Sequence, residues 1–307
     1  MHNEVNYGAI VGFFDGVHAG HRFLIEELKS LARERNQKSM IITFATHPRK
    51  VLNSDFQPML LNTLDEKNEH LESTKVDEII VLDFTVKMAQ LSAFEFLNII
   101  LKQQFNVKTL LVGHDHRFGH NRTDGFPEYK KYGEMLGMEV IQAQPYKTPE
   151  DNHISSSEIR LALQRGEIER ANRLLGYSYS IQGKVITGFK VGRKIDFPTA
   201  NLQVLDADKL IPALGVYAVR VYHNKFVYKG MMNIGTRPTL ATEAHISLEV
   251  NIFDFNKDIY NQTIKVEFIK KIRDEQKFNG VDELIEQLKK DKETVKMLIR
   301  LVDYWGK

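Results

Sequence analysis

The stretch YGAIVGFFDGVHAGHRFLIEELKSLARER, Tyr7–Arg35, determines the character of the first half of the chain. It opens with a short apolar run, Tyr7–Gly12, of the length typical of a buried strand. A glycine-rich turn follows, and beyond it apolar residues recur at the three- and four-residue spacing of a helix face from Leu24 to Ala32. The stretch therefore predicts a strand, a tight loop and an amphipathic helix in succession.

The alternation of strand and helix continues to about residue 143. Further strand-like runs lie at Ser39–Phe44, Glu78–Leu82, Lys108–Gly113 and Met138–Ala143. A second helical pattern, AFEFLNIILKQQF, covers residues 93–105. Because strands that alternate with helices form parallel sheets, the sequence predicts an α/β domain with a doubly wound parallel sheet. Ligands of such sheets bind at the carboxyl ends of the strands.

The second half has a different pattern. After about Gly176, short alternating runs rich in Val, Ile, Tyr and Phe follow one another, and His223-Asn224-Lys225 between two of them is typical of a hairpin turn. This all-β pattern predicts a small antiparallel β-barrel, closed by an amphipathic helix over Val281–Tyr304. The change of pattern predicts two domains, residues 1–178 and 179–307.

The composition excludes several classes of protein. The 307 residues carry a net charge of +2, which lacks the strong basic excess of a nucleic-acid binder. No apolar run is long enough to span a bilayer, and the first residues do not resemble a secretory signal. Cysteine is absent, which excludes disulfides and thiolate sites and is consistent with the cytoplasm. We therefore expect a cytoplasmic protein with no nucleic-acid or membrane partner.

The loop GFFDGVHAGH, Gly12–His21, has the chemistry of an anion site. Gly12 and Gly20 let the backbone approach a phosphate closely, and the N-terminus of the following helix supplies N–H groups and the positive end of its dipole. His18 and His21 fall on one side of the first turn and can stabilise charge on an attacked phosphate. The alternative is that both histidines merely cap a helix, and the density of polar groups at one junction favours the phosphate site.

A second candidate phosphate-binding segment is ISSSEIR, Ile154–Arg160. Ser156 or Ser157 can cap the helix that begins there, and Arg160 follows one turn later. The alternative is an ordinary capped helix with a surface arginine. Taken alone this motif favours the alternative, but its occurrence with the Gly12–His21 loop favours the phosphate role.

The barrel half contains a glycine-punctuated loop, GKVITGFKVGRKIDFPTANL, residues 183–202. It lacks the GK[ST] ending of a Walker loop, yet Gly188 and Gly192 would be flexible points in a loop over phosphates. Thr199 and Asn201 lie on one side of an extended segment, and their oxygens are hard ligands that suit Mg²⁺. A proline-initiated turn with ordinary hydrogen bonds fits the same residues equally well.

The N-terminal motifs resemble those of a known family. Gly12–His21 is similar to the HxGH signature of nucleotidylyltransferases, and its longer form, GxFDGxHxGH, resembles the FMN adenylyltransferase module of bacterial bifunctional riboflavin kinase/FAD synthetases. The segments Thr43–Pro48, Leu111–Gly119 and Ile154–Arg160 resemble further motifs of that module, in the same order. The barrel half resembles the riboflavin kinase module in residues 183–202, and also in the segments Asn233–Thr239, Leu248–Tyr260 and Ile272–Phe278.

This resemblance implies a role for each candidate residue. In adenylyl transfer the catalytic residues would be His18, His21 and Arg160. ATP and its phosphates would be bound by Gly12, Phe13, Asp15, Gly20, Ser156, Ser157, Gly188 and Gly192. The flavin would be bound by Asp115, Phe118, Arg122 and Arg273. In the kinase, Thr199 and Asn201 would bind Mg²⁺, and Glu249 would be the general base that takes the proton from the ribityl hydroxyl.

Several residues permit another interpretation or depart from the family pattern. His114, His116 and His120 could suggest zinc, but no cysteine or carboxylate pattern accompanies them, and the resemblance makes their segment a substrate-binding loop. Core packing is as good an explanation of Phe13 and Phe118 as ring stacking on a ligand. The departures are Ile195-Asp196 in place of Leu-Gly, Asn251 in place of His, and Asn261 in place of Gly.

The sequence therefore predicts phosphorylation of riboflavin to FMN by ATP, followed by adenylyl transfer from ATP to FMN. Riboflavin, FMN, FAD and ATP are the expected partners, with Mg²⁺ or another divalent cation as cofactor. Two other functions fit parts of the sequence. A pantetheine-phosphate or cytidylyl transferase would explain the HxGH loop but not the barrel motifs. A flavin-binding regulator without activity would not need the full set of candidate catalytic residues.

Overall fold

The structure is a computed structural model that describes residues 5–53, 55–114, 117–120, 124–146, 154–188, 192, 195–237 and 245–305. The chain divides into two compact units, Met1–Ser156 and Ser157–Lys307. This division falls earlier than the predicted change of pattern. None of the helices in the described ranges is long and apolar enough to cross a membrane.

The first unit is built on a five-stranded parallel sheet. Its strands are β1 (Tyr7–Val11), β2 (Lys38–Phe44), β3 (Glu78–Leu82), β4 (Val107–Val112) and β5 (Glu139–Gln142). Each lies within one residue, at both ends, of the strand that the sequence predicts. The order across the sheet is β3-β2-β1-β4-β5, so the chain reverses its winding direction between β1 and β4. The predicted doubly wound α/β fold is confirmed, and its switch point lies at the carboxyl ends of β1 and β4.

Helices surround this sheet. They are α1 (Ala19–Glu34), α2 (Pro48–Leu52), α3 (Leu64–Glu72), α4 (Val86–Ala89), α5 (Ala93–Glu95) and α6 (Phe126–Leu136). The predicted helix over residues 93–105 is α only in its first turn, and Phe96–Gln104 continues it as a π-helix. A π-helix keeps the apolar side of the segment buried, through Phe96, Leu97, Ile100 and Leu101, so the apolar spacing alone does not distinguish it from an α-helix.

The second unit is a closed antiparallel barrel with helices. Its strands are β6 (Ser180–Ile186), β7 (Ala200–Val204), β8 (Gly215–His223), β9 (Phe226–Arg237), β10 (His245–Ile252) and β11 (Thr263–Arg273). They close in the order β10-β7-β6-β11-β8-β9, which confirms the predicted barrel. The predicted hairpin turn is also confirmed, because His223 pairs with Phe226 across two turn residues.

Three helices belong to this barrel: α7 (Ser156–Gln164), α8 (Ile168–Leu175) and α9 (Val281–Trp305). The backbone N–H of Ala213 donates to the Leu163 carbonyl at 3.0 Å, and the Asn172 amide donates to the Phe268 carbonyl at 2.9 Å. These bonds tie α7 and α8 to the barrel, which explains why the first unit ends at Ser156. Helix α9 buries Val295 against the barrel core, as its predicted amphipathic pattern requires.

Candidate active sites

The loop that follows β1 turns through an unusual backbone conformation. Phe14, Gly16 and Val17 have φ angles of 55°, 83° and 35°, in the left-handed region that non-glycine residues rarely adopt. Phe14 is nevertheless well anchored, since its side chain is 4% exposed and lies in the core beneath the loop. A β-carbon on Gly12 would lie 3.0 Å from the Phe14 ring, so a larger residue there would have to displace the ring.

The two histidines of the loop lie together at the start of α1. His18 is the N-cap of the helix, and its Nδ1 accepts a hydrogen bond from the His21 backbone N–H at 3.3 Å. The two rings stack with their centroids 3.6 Å apart. A β-carbon on Gly20 would meet the His18 ring at 3.3 Å, a tight contact that a larger residue could relieve only by shifting the ring slightly. The geometry brings His18 and His21 together as the spacing predicts.

Asp15 connects this loop to two distant segments. Its carboxylate accepts hydrogen bonds from the backbone N–H groups of Leu61 and Asn62, at 3.0 Å and 3.3 Å. Its carbonyl accepts a hydrogen bond from the Ser156 hydroxyl at 2.9 Å. Asp15 is 5% exposed, so its carboxylate is a buried hydrogen-bond acceptor that holds the loop to the segment before α3. The contact with Ser156 brings two of the predicted phosphate motifs together although 141 residues separate them.

The two phenylalanines have different surroundings. The Phe13 ring meets the His47 ring edge-on at 4.7 Å. The Phe118 ring stacks on Tyr129 at 4.1 Å, and the Phe118 backbone N–H donates to the Tyr129 hydroxyl at 2.9 Å. Phe118 is therefore supported by the core of the first unit. Asp115 and Arg122, the other proposed flavin residues of this loop, lie outside the described residues.

The remaining residues of the first motif set are placed as follows. Ser157 is exposed in the first turn of α7, and Arg160 is half-buried one turn further along the same helix. Within the described ranges, no group of three or more His, Cys, Asp or Glu side chains could hold a metal ion. Of the three histidines that could suggest zinc, His114 and His120 are exposed, and His116 falls outside the described ranges.

The barrel carries a second polar cluster, centred on Glu249. On β10, Leu248 and Val250 are buried, so Glu249 projects from the opposite face. Glu249 pairs across the sheet with Asn201 of β7 and with Asn233 of β9. The Thr199 hydroxyl donates to its carboxylate at 3.3 Å. The structure thus brings together the proposed base and both proposed magnesium ligands.

Two glycines keep this cluster compact. A β-carbon on Gly188 would overlap the Asn201 side-chain amide. A β-carbon on Gly192 would overlap the Phe197 carbonyl, and the Gly192 carbonyl accepts a hydrogen bond from the Phe197 backbone N–H at 2.9 Å. Both positions therefore require glycine for close approach to the segment that carries Thr199 and Asn201.

Asn251 is a site residue whose role the sequence does not reveal. It is 6% exposed and two residues after Glu249 on the same face of β10. Its amide donates to the Pro198 carbonyl at 2.7 Å. Residues 198 and 199 are thereby held to β10 by two successive side chains, Asn251 and Glu249. The sequence marks this position only as a departure from a usual histidine.

Arg273 makes several contacts with protein groups. Its Nε and Nη2 donate to the Asp291 carboxylate of α9 at 3.0 Å and 2.9 Å. Its Nη1 donates to the Asp274 carbonyl at 3.0 Å, and the guanidinium lies 5.8 Å from the Phe278 ring centroid. Arg273 thus fastens the closing helix to the end of β11.

The fold and the two sites define a nucleotide-using transferase with two catalytic domains. Residues 2–158 match the model of the FAD synthetase family, and residues 175–299 match that of the riboflavin kinase family. The chain belongs to the family of bifunctional riboflavin kinase/FMN adenylyltransferases.

Curated relatives carry that family name. The relative from Bacillus subtilis (strain 168) is 39% identical over 289 residues, which are 92% of this chain and 89% of the relative. The relative from Buchnera aphidicola is 37% identical over 302 residues, 97% of this chain and 95% of the relative. A solved structure from Streptococcus pneumoniae, described as a macrolide-efflux protein, has a TM-score of 0.87 at 34% identity, over 95% of this chain and 94% of that one.

Proposed function

We propose that this chain makes FAD from riboflavin in two ATP-dependent reactions, one in each domain. The observation that carries the proposal is that there are two polar sites, each built from loops that are distant in sequence. The Ser156–Asp15 bond unites the first site, and the Thr199–Glu249 bond unites the second.

At the loop after β1 the reaction is adenylyl transfer. A phosphate oxygen of FMN forms a bond to the α-phosphorus of ATP, the bond to the β-phosphate oxygen breaks, and pyrophosphate leaves. Because His18 Nδ1 accepts the His21 N–H, the neutral His18 ring carries its proton on Nε2, which can donate to a phosphate oxygen. His21 and Arg160 would add donors to the developing charge. The loop residues Gly12, Phe13, Asp15 and Gly20, together with Ser156 and Ser157, would hold ATP.

In the barrel the reaction is phosphoryl transfer. The Glu249 carboxylate would take the proton of the terminal ribityl hydroxyl while that oxygen bonds to the γ-phosphorus and ADP leaves. Thr199, Asn201 and Glu249 present a hydroxyl, an amide and a carboxylate in one cluster, a set of hard oxygen donors that fits Mg²⁺. Thr199 and Asn201 would hold the ion, which when bound would neutralise phosphate charge. Gly188 and Gly192 would let the loop cover the phosphates.

The flavin contacts and the domain boundary belong to the same proposal. Asp115, Phe118 and Arg122 would bind FMN for adenylylation, and Arg273 would order the flavin end of the barrel through its hold on α9. The catalytic modules would be residues 1–178 and 179–307. We also propose that the protein acts in the cytoplasm, without nucleic acid, since its sequence has no cysteine and a net charge of only +2.

Two variants with opposite effects test the assignment of the sites. The enzyme is incubated with riboflavin, ATP and Mg²⁺, and the three flavins are separated by chromatography. His21→Ala should slow FMN adenylylation about a hundredfold or more and leave riboflavin phosphorylation unchanged. Glu249→Gln, the matched control, should slow riboflavin phosphorylation about a hundredfold or more and leave FMN adenylylation unchanged. If either variant, correctly folded, reduced both activities equally, its assignment to one site would be wrong.

The boundary has its own test, because α7 and α8 are bonded to the barrel. Fragments 157–307 and 179–307 should both phosphorylate riboflavin, and the longer one should melt at a higher temperature. A folded 179–307 fragment with no kinase activity would contradict the proposed boundary.

A further inference from the structure

A lysine of the first unit is buried although lysines rarely are. Lys67 lies in the first half of α3 and is 3% exposed. Taking an ammonium group out of water is unfavourable unless nearby groups compensate its charge. The surroundings of Lys67 therefore indicate what the charge does.

Two groups contact the ammonium, and Asp15 acts on it through its charge. Lys67 Nζ donates a hydrogen bond to the carbonyl of Phe44, the last residue of β2, at 2.6 Å. It lies 4.2 Å from the centroid of the Phe13 ring, in cation–π geometry. The negative charge of Asp15 opposes part of the effect of burial, which lowers the pKa of Lys67 to about 8. At neutral pH the side chain is thus mainly a cation.

These contacts converge on the loop after β1. The Asp15 carboxylate accepts a hydrogen bond from the backbone of Leu61, just before α3. The Lys67 side chain extends from α3 and contacts both the Phe13 ring and the last carbonyl of β2. The Thr43 hydroxyl also donates to the Phe13 carbonyl, at 3.1 Å. Phe13 is consequently held on its ring and on its backbone, inside a loop that contains left-handed residues. Such a loop keeps its shape only if its surroundings determine it.

A methionine would fill the same space without the cost of burying a charge. The role of the charge is therefore to hold the loop after β1 in place, more than to stabilise the unit as a whole. We propose that Lys67 is a positioning residue of adenylyl transfer: its ammonium clamps Phe13 to the end of β2 and so holds the Gly12–Gly16 loop in the shape that receives the triphosphate. The inference rests on the proposed function of that loop.

The test compares Lys67→Met with Lys67→Arg in the full-length protein. Lys67→Met should raise the KM for ATP in FMN adenylylation about tenfold, a change of about 1.4 kcal/mol, with the KM for FMN unchanged. Lys67→Arg keeps the cation and should restore most of the ATP affinity. General destabilisation would instead lower the amount of active enzyme, and thus kcat, without changing KM. Riboflavin phosphorylation on the same preparation checks that the second domain is unaffected.

An unchanged KM for ATP in folded Lys67→Met would overturn the inference. If that variant does not fold, Lys67→Gln takes its place, because it removes the charge but keeps an N–H donor for the Phe44 carbonyl, and a normal KM for ATP there overturns the inference equally. His21→Ala separates this result from failure of the proposed site. Loss of adenylylation in His21→Ala with a normal Lys67→Met would refute only the role of Lys67, whereas full adenylylation in His21→Ala would refute the site itself.

Discussion

Removing the carboxylate of Asp291 should loosen the closing helix from the barrel. Asp291 is 4% exposed and accepts hydrogen bonds from Arg273 Nε at 3.0 Å, Arg273 Nη2 at 2.9 Å and Gln287 Nε2 at 2.8 Å. The Arg273 side chain is itself only 14% exposed, so in Asp291→Ala its guanidinium would be buried without a counter-charge. Breaking a buried pair in this way costs about 3–5 kcal/mol.

The same helix provides a matched control. Glu293 pairs with Lys296 at 3.1 Å, but its side chain is 73% exposed, and such surface pairs contribute about 0–1 kcal/mol. For a unit of this size, 1 kcal/mol corresponds to a change in Tm of about 2–4 °C. Asp291→Ala should therefore lower the Tm of the barrel by about 10 °C, and Glu293→Ala by less than about 4 °C.

Thermal unfolding followed by circular dichroism gives the Tm of each variant. Arg273→Met/Asp291→Leu replaces both charges with apolar side chains and should recover most of the loss. Equal effects of Asp291→Ala and Glu293→Ala would refute the reasoning, since burial would then make no difference to the value of the pair.

Three other predictions concern the barrel. Glu249→Gln should lower kinase turnover about a hundredfold or more with unchanged riboflavin affinity; fluorescence quenching gives the affinity and chromatography the turnover, and near-normal turnover would remove the general-base role. Asn251→Ala should raise the kinase KM for Mg·ATP, because the Pro198 carbonyl loses its amide donor; steady-state kinetics with an unchanged KM would contradict this. Asn261→Gly should be more stable than Asn261→Ala by about 1 kcal/mol, since φ is 62° there; equal urea midpoints would exclude it.

Much of the fold follows from periodicity. Ser39–Phe44 is buried along its whole length and is apolar except for Ser39 and Thr43. Strands covered on both faces are largely apolar in this way, and this is why the sheet could be predicted to within one residue. The placement of α7 and α8 could not be predicted in the same way. An apolar helix face shows that a helix packs, but not against which core, and the bonds from Leu163 and Asn172 to the barrel become visible only in three dimensions.

The candidate sites show the same difference between local sequence patterns, which can be predicted, and long-range contacts, which cannot. His18 and His21 could be predicted to lie together because they are three positions apart at the start of one helix. Lys67 could not be connected with them from the sequence, because its partners Phe44 and Phe13 lie 23 and 54 residues earlier. Nothing in the local pattern around Lys67 distinguishes it from a lysine on a solvated helix face. Sequence periodicity does not show that the charge of Lys67 is buried against residues distant in the sequence.

The departures from glycine in the kinase half have a common physical explanation. Asp196 and Asn261 stand where the family usually has glycine, and their φ angles are 59° and 62°. Both backbones thus keep the left-handed conformation for which glycine is best suited. Aspartate and asparagine are the residues that tolerate this conformation best after glycine, because their short polar side chains can form local hydrogen bonds. Directly after Asp196, the Phe197 backbone N–H donates to the Gly192 carbonyl at 2.9 Å. A β-carbon at position 196 also gives this residue less backbone freedom in the unfolded chain than glycine would have, so Asp196 holds its left-handed conformation at a smaller loss of conformational entropy.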